Sequence, residues 1–276
     1  LISQKYILLY LKKEYKLDDI ELSLLDYKFI LGFENFLRGY KPKHYQKQIG
    51  NNAVMKHIQR LRRMVTLAYN IEWISQDPFR KFKQKLIPTH RGHLTGKELE
   101  LLESVQLNSL RLKTVKDLFI FSCYTGISYI DMMLLTEESL VMGLDNRRWI
   151  ATKRQKTRNP VKIPLLSKAF DIIKNFREDK RCEVYGTLFP KISNQKVNAY
   201  LKEIAIAAGI KKNLTFHMAR HTFATTVTMT NGVPIETISK MLGHRKLSTT
   251  QIYAKVIEQK VCEDMERLRD RLEKSI

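Results

Sequence analysis

Cysteine, acid and long apolar runs are all scarce in this chain, and each shortage excludes something. The three cysteines, Cys123, Cys182 and Cys262, are an odd number at wide spacing with no CxxC pair. A disulfide framework or zinc ribbon does not fit that pattern, and a reducing cytoplasm does. No apolar run reaches the ~18 residues that a membrane span needs, and no signal peptide opens the sequence. The chain starts Leu1-Ile2-Ser3 without Met, which reads as a fragment with an upstream domain missing. There is no internal repeat and no low-complexity tract. Acid is the scarcest: 28 Asp+Glu stand against 49 Lys+Arg, a formal charge of +21. A hydrophobic content of 43% with 12 Phe and 12 Tyr argues against wholesale disorder, so the excess charge sits on folded domains.

Such a charge calls for an extended polyanion, most simply nucleic acid. An anionic membrane surface is the rival, but no strongly amphipathic basic terminal helix serves it. A ribosomal-type structural protein stays open. The excess is also clustered. Between Glu34 and Glu72 eight bases and no acid occur: Arg38, Lys41, Lys43, Lys47, Lys56, Arg60, Arg62 and Arg63. Between Asp145 and Asp171 there are again eight and no acid, among them Lys153, Arg154, Lys156 and Arg158. Two such zones suggest two halves of one clamp on a duplex; the alternative is two independently solvated basic faces. The expected DNA contacts are Lys41, Lys43, Lys56, Arg60 and Arg63 in the first half and Lys153, Arg154 and Arg158 in the second, with Gln59 a further candidate for reading base edges.

Residues 1 to about 75 read as all helical. Apolar residues recur at helical spacing in Ile7, Leu8, Leu11, then Ile20, Leu24, Tyr27, Phe29 and Phe33. Val54, Ile58, Leu61, Val65 and Tyr69 form one stripe and Lys56, Arg60 and Arg63 another. Residues 80–93, basic and punctuated by Pro and Gly, read as a linker between a helical domain at 1–79 and a second domain at 94–257. Thr95 and Glu98 suggest a capping box. Helices are expected over 95–105, 109–124, 167–178, 193–208, 216–230, 234–242 and 248–256, with a β-hairpin at 147–164. The segment 258–276 carries a helical stripe of Ile257, Val261, Met265, Leu268, Leu272 and Ile276.

Four stretches carry chemistry: Thr125-Gly126-Ile127-Ser128-Tyr129-Ile130-Asp131, the hairpin turn Lys153-Arg154-Gln155-Lys156-Thr157, Phe216-His217-Met218-Ala219-Arg220-His221, and Leu242-Gly243-His244 followed nine residues later by Tyr253. His217 and Arg220 share a helix face. The Arg fork suits two non-bridging phosphate oxygens, and His217 and His244 are suited to donate to the same group. A Tyr hydroxyl is a nucleophile toward phosphorus when cations stabilise its oxyanion. Lys156 on a turn has the reach of a general acid. Each piece alone has a plainer explanation: a surface pair, a core Tyr, a solvated turn. His217 and His221 at i,i+4 have no acidic or cysteine partner nearby for a metal site. Their conjunction in this order is what points to a reaction.

In that order the chain resembles the tyrosine recombinases of the phage integrase family, with HMARHTFAT and MLGHRKLSTTQIYAKV matching two of the family's boxes. FSCYTGISYIDM is similar to integrases of conjugative transposons from the Bacteroides group, which commonly carry a further N-terminal arm-binding domain. The resemblance covers about residues 1 to 260. It implies a mainly α fold with a small β-hairpin or sheet, a helical core-binding domain and a mixed α/β catalytic domain forming a C-shaped clamp. It implies that Tyr253 attacks the scissile phosphate to give a 3′-phosphotyrosyl link, that Arg220 and His244 hold the non-bridging oxygens, that His217 does the same or assists proton transfer, and that Lys156 protonates the leaving 5′-oxygen. Asp131 takes the family's acidic position and orients its neighbours. Neither metal nor cofactor is implied. The implied partners are double-stranded DNA, three further copies in a homotetramer on paired sites, linked by the C-terminal helix, and accessory DNA-bending proteins. The implied place is the bacterial cytoplasm, at the nucleoid. A type IB-like topoisomerase using the same chemistry stays open.

One position departs from the family: Ser128 stands where Arg is expected. Losing one phosphate-binding guanidinium costs on the order of 2–4 kcal/mol of transition-state stabilisation, by analogy with an oxyanion-hole donor. Another base fills the space, with Lys116, Arg111, Arg154 and Arg158 as candidates, or Ser128 itself donates to the phosphate, or the protein binds DNA with weak or no chemistry.

Overall fold

The computed structural model describes residues 2–42, 48–88 and 92–254, with Met265, Glu266, Leu268, Arg269 and Glu273. Lys43 and most of the 258–276 stripe lie outside the described residues. The chain divides into two compact units, Leu1–His90 and Arg91–Ile276.

The first unit is built on α1 (Ile2–Tyr10), α2 (Tyr27–Gly39) and α3 (Asn51–Asn70). Asp26 caps α2 by accepting from the Phe29 N–H at 2.7 Å. Phe29, Ile30, Phe33 and Leu37 follow at spacings that bury one face. They meet Val54, Ile58, Leu61 and Val65 of α3. Tyr69, expected on that stripe, is 43% exposed, and Ala68 takes the buried place at the last turn instead. Leu8, Leu24 and Tyr27, expected on the apolar stripes, are also exposed. A π turn over Leu11–Tyr15 ends at Lys16 in the left-handed region, and residues 16–26 are irregular apart from one 3-10 turn.

The stretch expected as a linker is tied to α3 in its first half. Phe79 and Phe82 are buried in the first core. Asn52 pairs with the Ile87 backbone through both its amide atoms, at 2.7 and 2.9 Å. Asn51 donates to the Lys85 carbonyl, and Gln59 donates to Gln84.

The second unit opens with the Thr95–Glu98 capping box of α4 (Gly96–Ser104). Its centre is α5 (Leu110–Thr125), whose apolar residues Val115, Leu118, Phe119 and Phe121 are fully buried. After a short α6 (Tyr129–Met132) come three antiparallel strands in the order β1 (Leu140–Met142), β2 (Arg148–Lys153), β3 (Pro160–Pro164). The register sets Ile150 against both Leu140 and Ile163. The hairpin expected at 147–164 is therefore part of a three-stranded sheet; β1 is too short to display an alternating pattern. Helices α7 (Ser167–Asn175), α8 (Lys180–Tyr185) and α9 (Asn194–Ala207) follow, and α7 and α9 pack on α5.

The helix expected over 216–230 is interrupted. α10 (Phe216–Thr222) widens into π turns over Phe223–Thr228 and a 3-10 turn over Met229–Asn231. The run of threonines explains this: Thr225 donates to the His221 carbonyl at 2.7 Å and Thr228 to the Phe223 carbonyl at 2.8 Å, so hydroxyls compete for the helical acceptors. α11 (Ile235–Met241) and α12 (Gln251–Ala254) follow.

Gly126 ends α5 with φ 69°. A Cβ there would lie 2.4 Å from Phe223 Cδ1 and 2.9 Å from Leu242 Cδ2. Gly126→Ala is therefore expected to destabilise the second unit by about 2–4 kcal/mol from left-handed strain and overpacking together. A thermal melt within a degree of wild type would contradict this.

Candidate active site

Asp131 is 5% exposed, and three groups converge on it. Ser128 Oγ donates to Oδ2 at 2.5 Å, and the Gln155 N–H donates to Oδ1 at 2.9 Å. Arg154 Nε lies 3.9 Å from Oδ2. Ser128 is the N-cap residue of α6 and Asp131 sits in its first turn, so the serine–aspartate contact is local. Gln155 and Arg154 come from the turn between β2 and β3. That turn is closed by Arg154 N–H to Asn159 O at 2.9 Å and Arg158 N–H to Arg154 O at 2.8 Å, with Arg158 at φ 58°.

Arg220 on α10 is 4% exposed. Its Nη1 donates to the Gly126 carbonyl at 2.6 Å and its Nη2 to the Leu242 carbonyl. Both acceptors sit where helices end: Gly126 follows α5 and Leu242 follows α11, and orphan carbonyls there need donors. Burial, then the charge of Arg154, lower the Arg220 pKa to about 10, while the Tyr253 phenol and the Asp131 carboxylate push it back up. Two guanidiniums thus share one neighbourhood.

Gly243, at φ 60°, ends α11. A Cβ on it would lie 2.7 Å from Arg154 Cδ and 2.6 Å from Val161 Cγ2, so its bareness leaves the path along which Arg154 runs. The β2–β3 turn is also fastened to this loop. Thr157 and Asn159 side chains reach the Gly243 carbonyl at 3.5 and 3.4 Å, and Arg245 donates to Thr157 O at 2.9 Å. His244 follows, with Nδ1 2.8 Å from Thr250 Oγ1. Burial, then the charges of Arg220 and Arg154, push His244 from 6.5 to about 4.

Tyr253 is 5% exposed, packed among Phe223, Ala224, Met229, Ile238 and Leu242. Its ring stands edge-on to His221 at 5.2 Å, and His221 stands edge-on to His217 at 4.7 Å. His221 is 4% exposed and links the exposed His217 to the Tyr253 ring. It was singled out in the sequence only as a metal ligand. Its signal as a site residue was its place beside Arg220, one helical turn after His217. Among the described residues, no three His, Cys, Asp or Glu side chains are grouped to hold a metal.

The four bases considered for the Ser128 vacancy separate cleanly. Lys116 Nζ is engaged by the Glu103 and Val105 carbonyls at 3.2 and 3.0 Å. Arg111 lies by Glu203 at 3.8 Å and over the Tyr200 ring. Arg158 is exposed on the turn. Arg154 alone of the four stands by Asp131, with a side chain 14% exposed, which moves it from the expected groove contacts into the site. The Ser128 hydroxyl proton goes to Asp131, so it is not directed at a phosphate. Lys156 is exposed on the same turn, as is Lys153 at its start. Lys41, Lys56, Arg60 and Arg63 are exposed in the first unit.

With its pKa near 4, the folded His244 stays neutral at pH 5, where the unfolded chain's imidazole is protonated. Stability therefore falls as pH drops from about 6.5 toward 4. His244→Gln should flatten that part of the pH–stability profile. An unchanged slope between melts at pH 4.5 and 7 would refute the assignment.

Two guanidiniums, a histidine held neutral beside them and a buried tyrosine thus gather around the ends of α5 and α11. Residues 94–260 match the phage integrase family and residues 2–85 the phage integrase SAM-like domain. The tyrosine recombinase XerD of Staphylococcus saprophyticus is 30% identical over 176 residues, 59% of this chain and 57% of its own length, so the match spans little more than half of that relative. XerD of Lacticaseibacillus casei is 25% identical over 230 residues, 79% of this chain and 76% of its own. Two solved structures share the fold. The Tn1549 transposon integrase in complex with transposon right end DNA has a TM-score of 0.68 at 15% identity, covering 97% of this chain and 93% of its own. XerH site-specific recombinase bound to its difH substrate has 0.64 at 18%, covering 94% and 76%. With both its halves matched, the chain belongs to the phage integrase family.

Proposed function

We propose that this protein is a site-specific DNA recombinase that cuts and rejoins duplex DNA through Tyr253, in the service of a mobile element. The observation that carries the reading is the uncompensated charge at the site. Arg154 and Arg220 repel one another beside a single carboxylate, Asp131, and together depress His244. A phosphodiester supplies the missing negative charge, and more of it accumulates on the oxygens of a phosphoryl-transfer transition state.

In this mechanism the Tyr253 oxygen attacks phosphorus and the bond to the 5′-oxygen breaks. The 5′-oxygen takes a proton from Lys156, and the phenol proton leaves toward the His217–His221 side. Arg220 has three N–H groups left after its two carbonyl contacts, enough for both non-bridging oxygens. His244 donates through Nε2, because Nδ1 faces Thr250. Arg154 supplies the second guanidinium that Ser128 lacks, and Asp131 orients it. Tyr253 is covered at rest, so attack requires α12 to shift on DNA. The reverse reaction rejoins the strand with no external energy source, because the phosphotyrosine conserves the bond. Four copies on paired sites, with accessory DNA-bending proteins, complete the exchange in the bacterial nucleoid. The exposed Lys41, Lys56, Arg63, Lys153 and Arg158, with Lys43, serve the DNA backbone. No helix among the described residues is long and apolar enough to cross a membrane.

The test is covalent trapping in EDTA on a pool of nicked duplexes with a randomised core. Wild type gives a denaturation-resistant adduct and Tyr253→Phe gives none; an adduct with Tyr253→Phe would refute the nucleophile. Arg154→Ala should slow adduct formation by about 10²–10³-fold, the scale of one lost oxyanion donor. Ser128→Arg combined with Arg154→Ala should recover part of it. Full activity in Arg154→Ala alone would remove Arg154 from the mechanism.

A further inference from the structure

In the first unit, one basic residue of the α3 stripe is held in a way its neighbours are not. Arg60 is exposed, yet its Nη1 donates to Ser3 Oγ on α1 at 2.9 Å. Ser3 Oγ lies 2.8 Å from His57 Nδ1, and both residues are buried, at 9% and 8% exposure. Arg has only donors, so the hydroxyl accepts from it, and a second lone pair and the hydroxyl proton remain for the contact with the His57 ring. Burial, then the Arg60 charge, hold it below the ordinary imidazole value. The ring is itself braced edge-on by Tyr6 at 4.9 Å, and Tyr6 by Tyr40 at 5.2 Å.

We propose that Ser3 and His57 are positioning residues that fix Arg60 to read a guanine in the DNA major groove. The inference rests on the recombinase reading and adds which side chain carries sequence information. With Nη1 tethered, the free edge of the guanidinium is Nε–H with Nη2–H₂. Those are two parallel donors matched to guanine O6 and N7. A phosphate contact needs no such fixing, because backbone contacts position a protein without distinguishing sequences. Fixing the rotamer beforehand reduces the ordering cost of the bidentate pair while leaving it undemanding of the rest of the helix. The tether is also uncharged. A carboxylate in the place of Ser3 would hold Arg60 equally well but compete with DNA for its charge.

The experiment selects bound duplexes from a pool of randomised double-stranded DNA with the full chain, at fixed salt. It compares wild type with Ser3→Ala, Ser3→Thr and Arg60→Lys. Wild type should enrich a guanine at one position. Arg60→Lys, which keeps the charge, should lose that enrichment by about fivefold or more while the salt dependence of binding stays the same. Ser3→Ala should weaken the same position and no other, and Ser3→Thr, which restores a hydroxyl, should recover it. A uniform loss across all positions in Ser3→Ala would mean a structural role and overturn the proposal. So would an unchanged profile in Arg60→Lys. Wild type that enriches no sequence at any salt would instead overturn the site-specific reading on which this one rests.

Discussion

Positive charge at this site has to be held in place without being neutralised, and much of the local fold follows from that constraint. A carboxylate for each guanidinium would fix the side chains and quench their charge. For Arg220 the structure uses neutral acceptors instead. Arg220 is oriented by two main-chain carbonyls, from Gly126 and Leu242. These carbonyls are available because helices end there, and the helices end there because Gly126 and Gly243 take left-handed conformations. The same glycines leave the room that the neighbouring side chains occupy: Phe223 and Leu242 crowd Gly126, and Arg154 crosses Gly243. Backbone termination, close packing and charge placement are three consequences of two residues.

Ser128 takes on a different meaning in this setting. The base that stands by Asp131 comes from the β2–β3 turn, as Arg154. A serine is the right size for its remaining task, which is to hold Asp131 with one short hydrogen bond. Asp131 in turn receives the Gln155 N–H and stands near Arg154, so it joins α6 to the turn. Replacing Ser128 with a bulky cation has to contend with Arg154 already beside that carboxylate. The two positions form a coupled pair, and their effects should not add.

Much of this architecture was legible in the sequence where a local rule decides it. The Thr95–Glu98 capping box, the α5 and α9 boundaries within a residue or two, and the α3 core stripe from Val54 to Val65 follow from capping chemistry and periodicity. What was not legible depends on contacts between distant segments. The choice of Arg154 over Lys116, Arg111 or Arg158 turns on where each tip ends up, and Lys116 and Arg111 are taken by acceptors at the Glu103 and Glu203 ends of other elements. The break in the helix after Thr222 had a local cause, back-bonding threonines, that a periodicity count does not register. The pairing of Asn52 with Ile87 is likewise invisible until both segments are in place, because composition marks 80–93 only as a basic, irregular stretch.

The formal charge of +21 then separates into kinds. Some bases are already matched to carboxylates: Arg38 to Glu34, Lys212 to Glu98, Arg181 to Asp179, Lys168 to Glu103. A pair of that kind gains little and attracts little, since exposed ion pairs contribute at most about 1 kcal/mol and present no net charge to a ligand. Arg60 and Arg220 belong to another kind, each fastened by uncharged oxygen and each still carrying its full charge. The same device recurs in two separate units, once with a serine hydroxyl and once with main-chain carbonyls. Counting bases measures how strongly a protein is drawn to a polyanion. Sorting them by what holds them separates charge already matched within the fold from charge held in place and left open to a ligand.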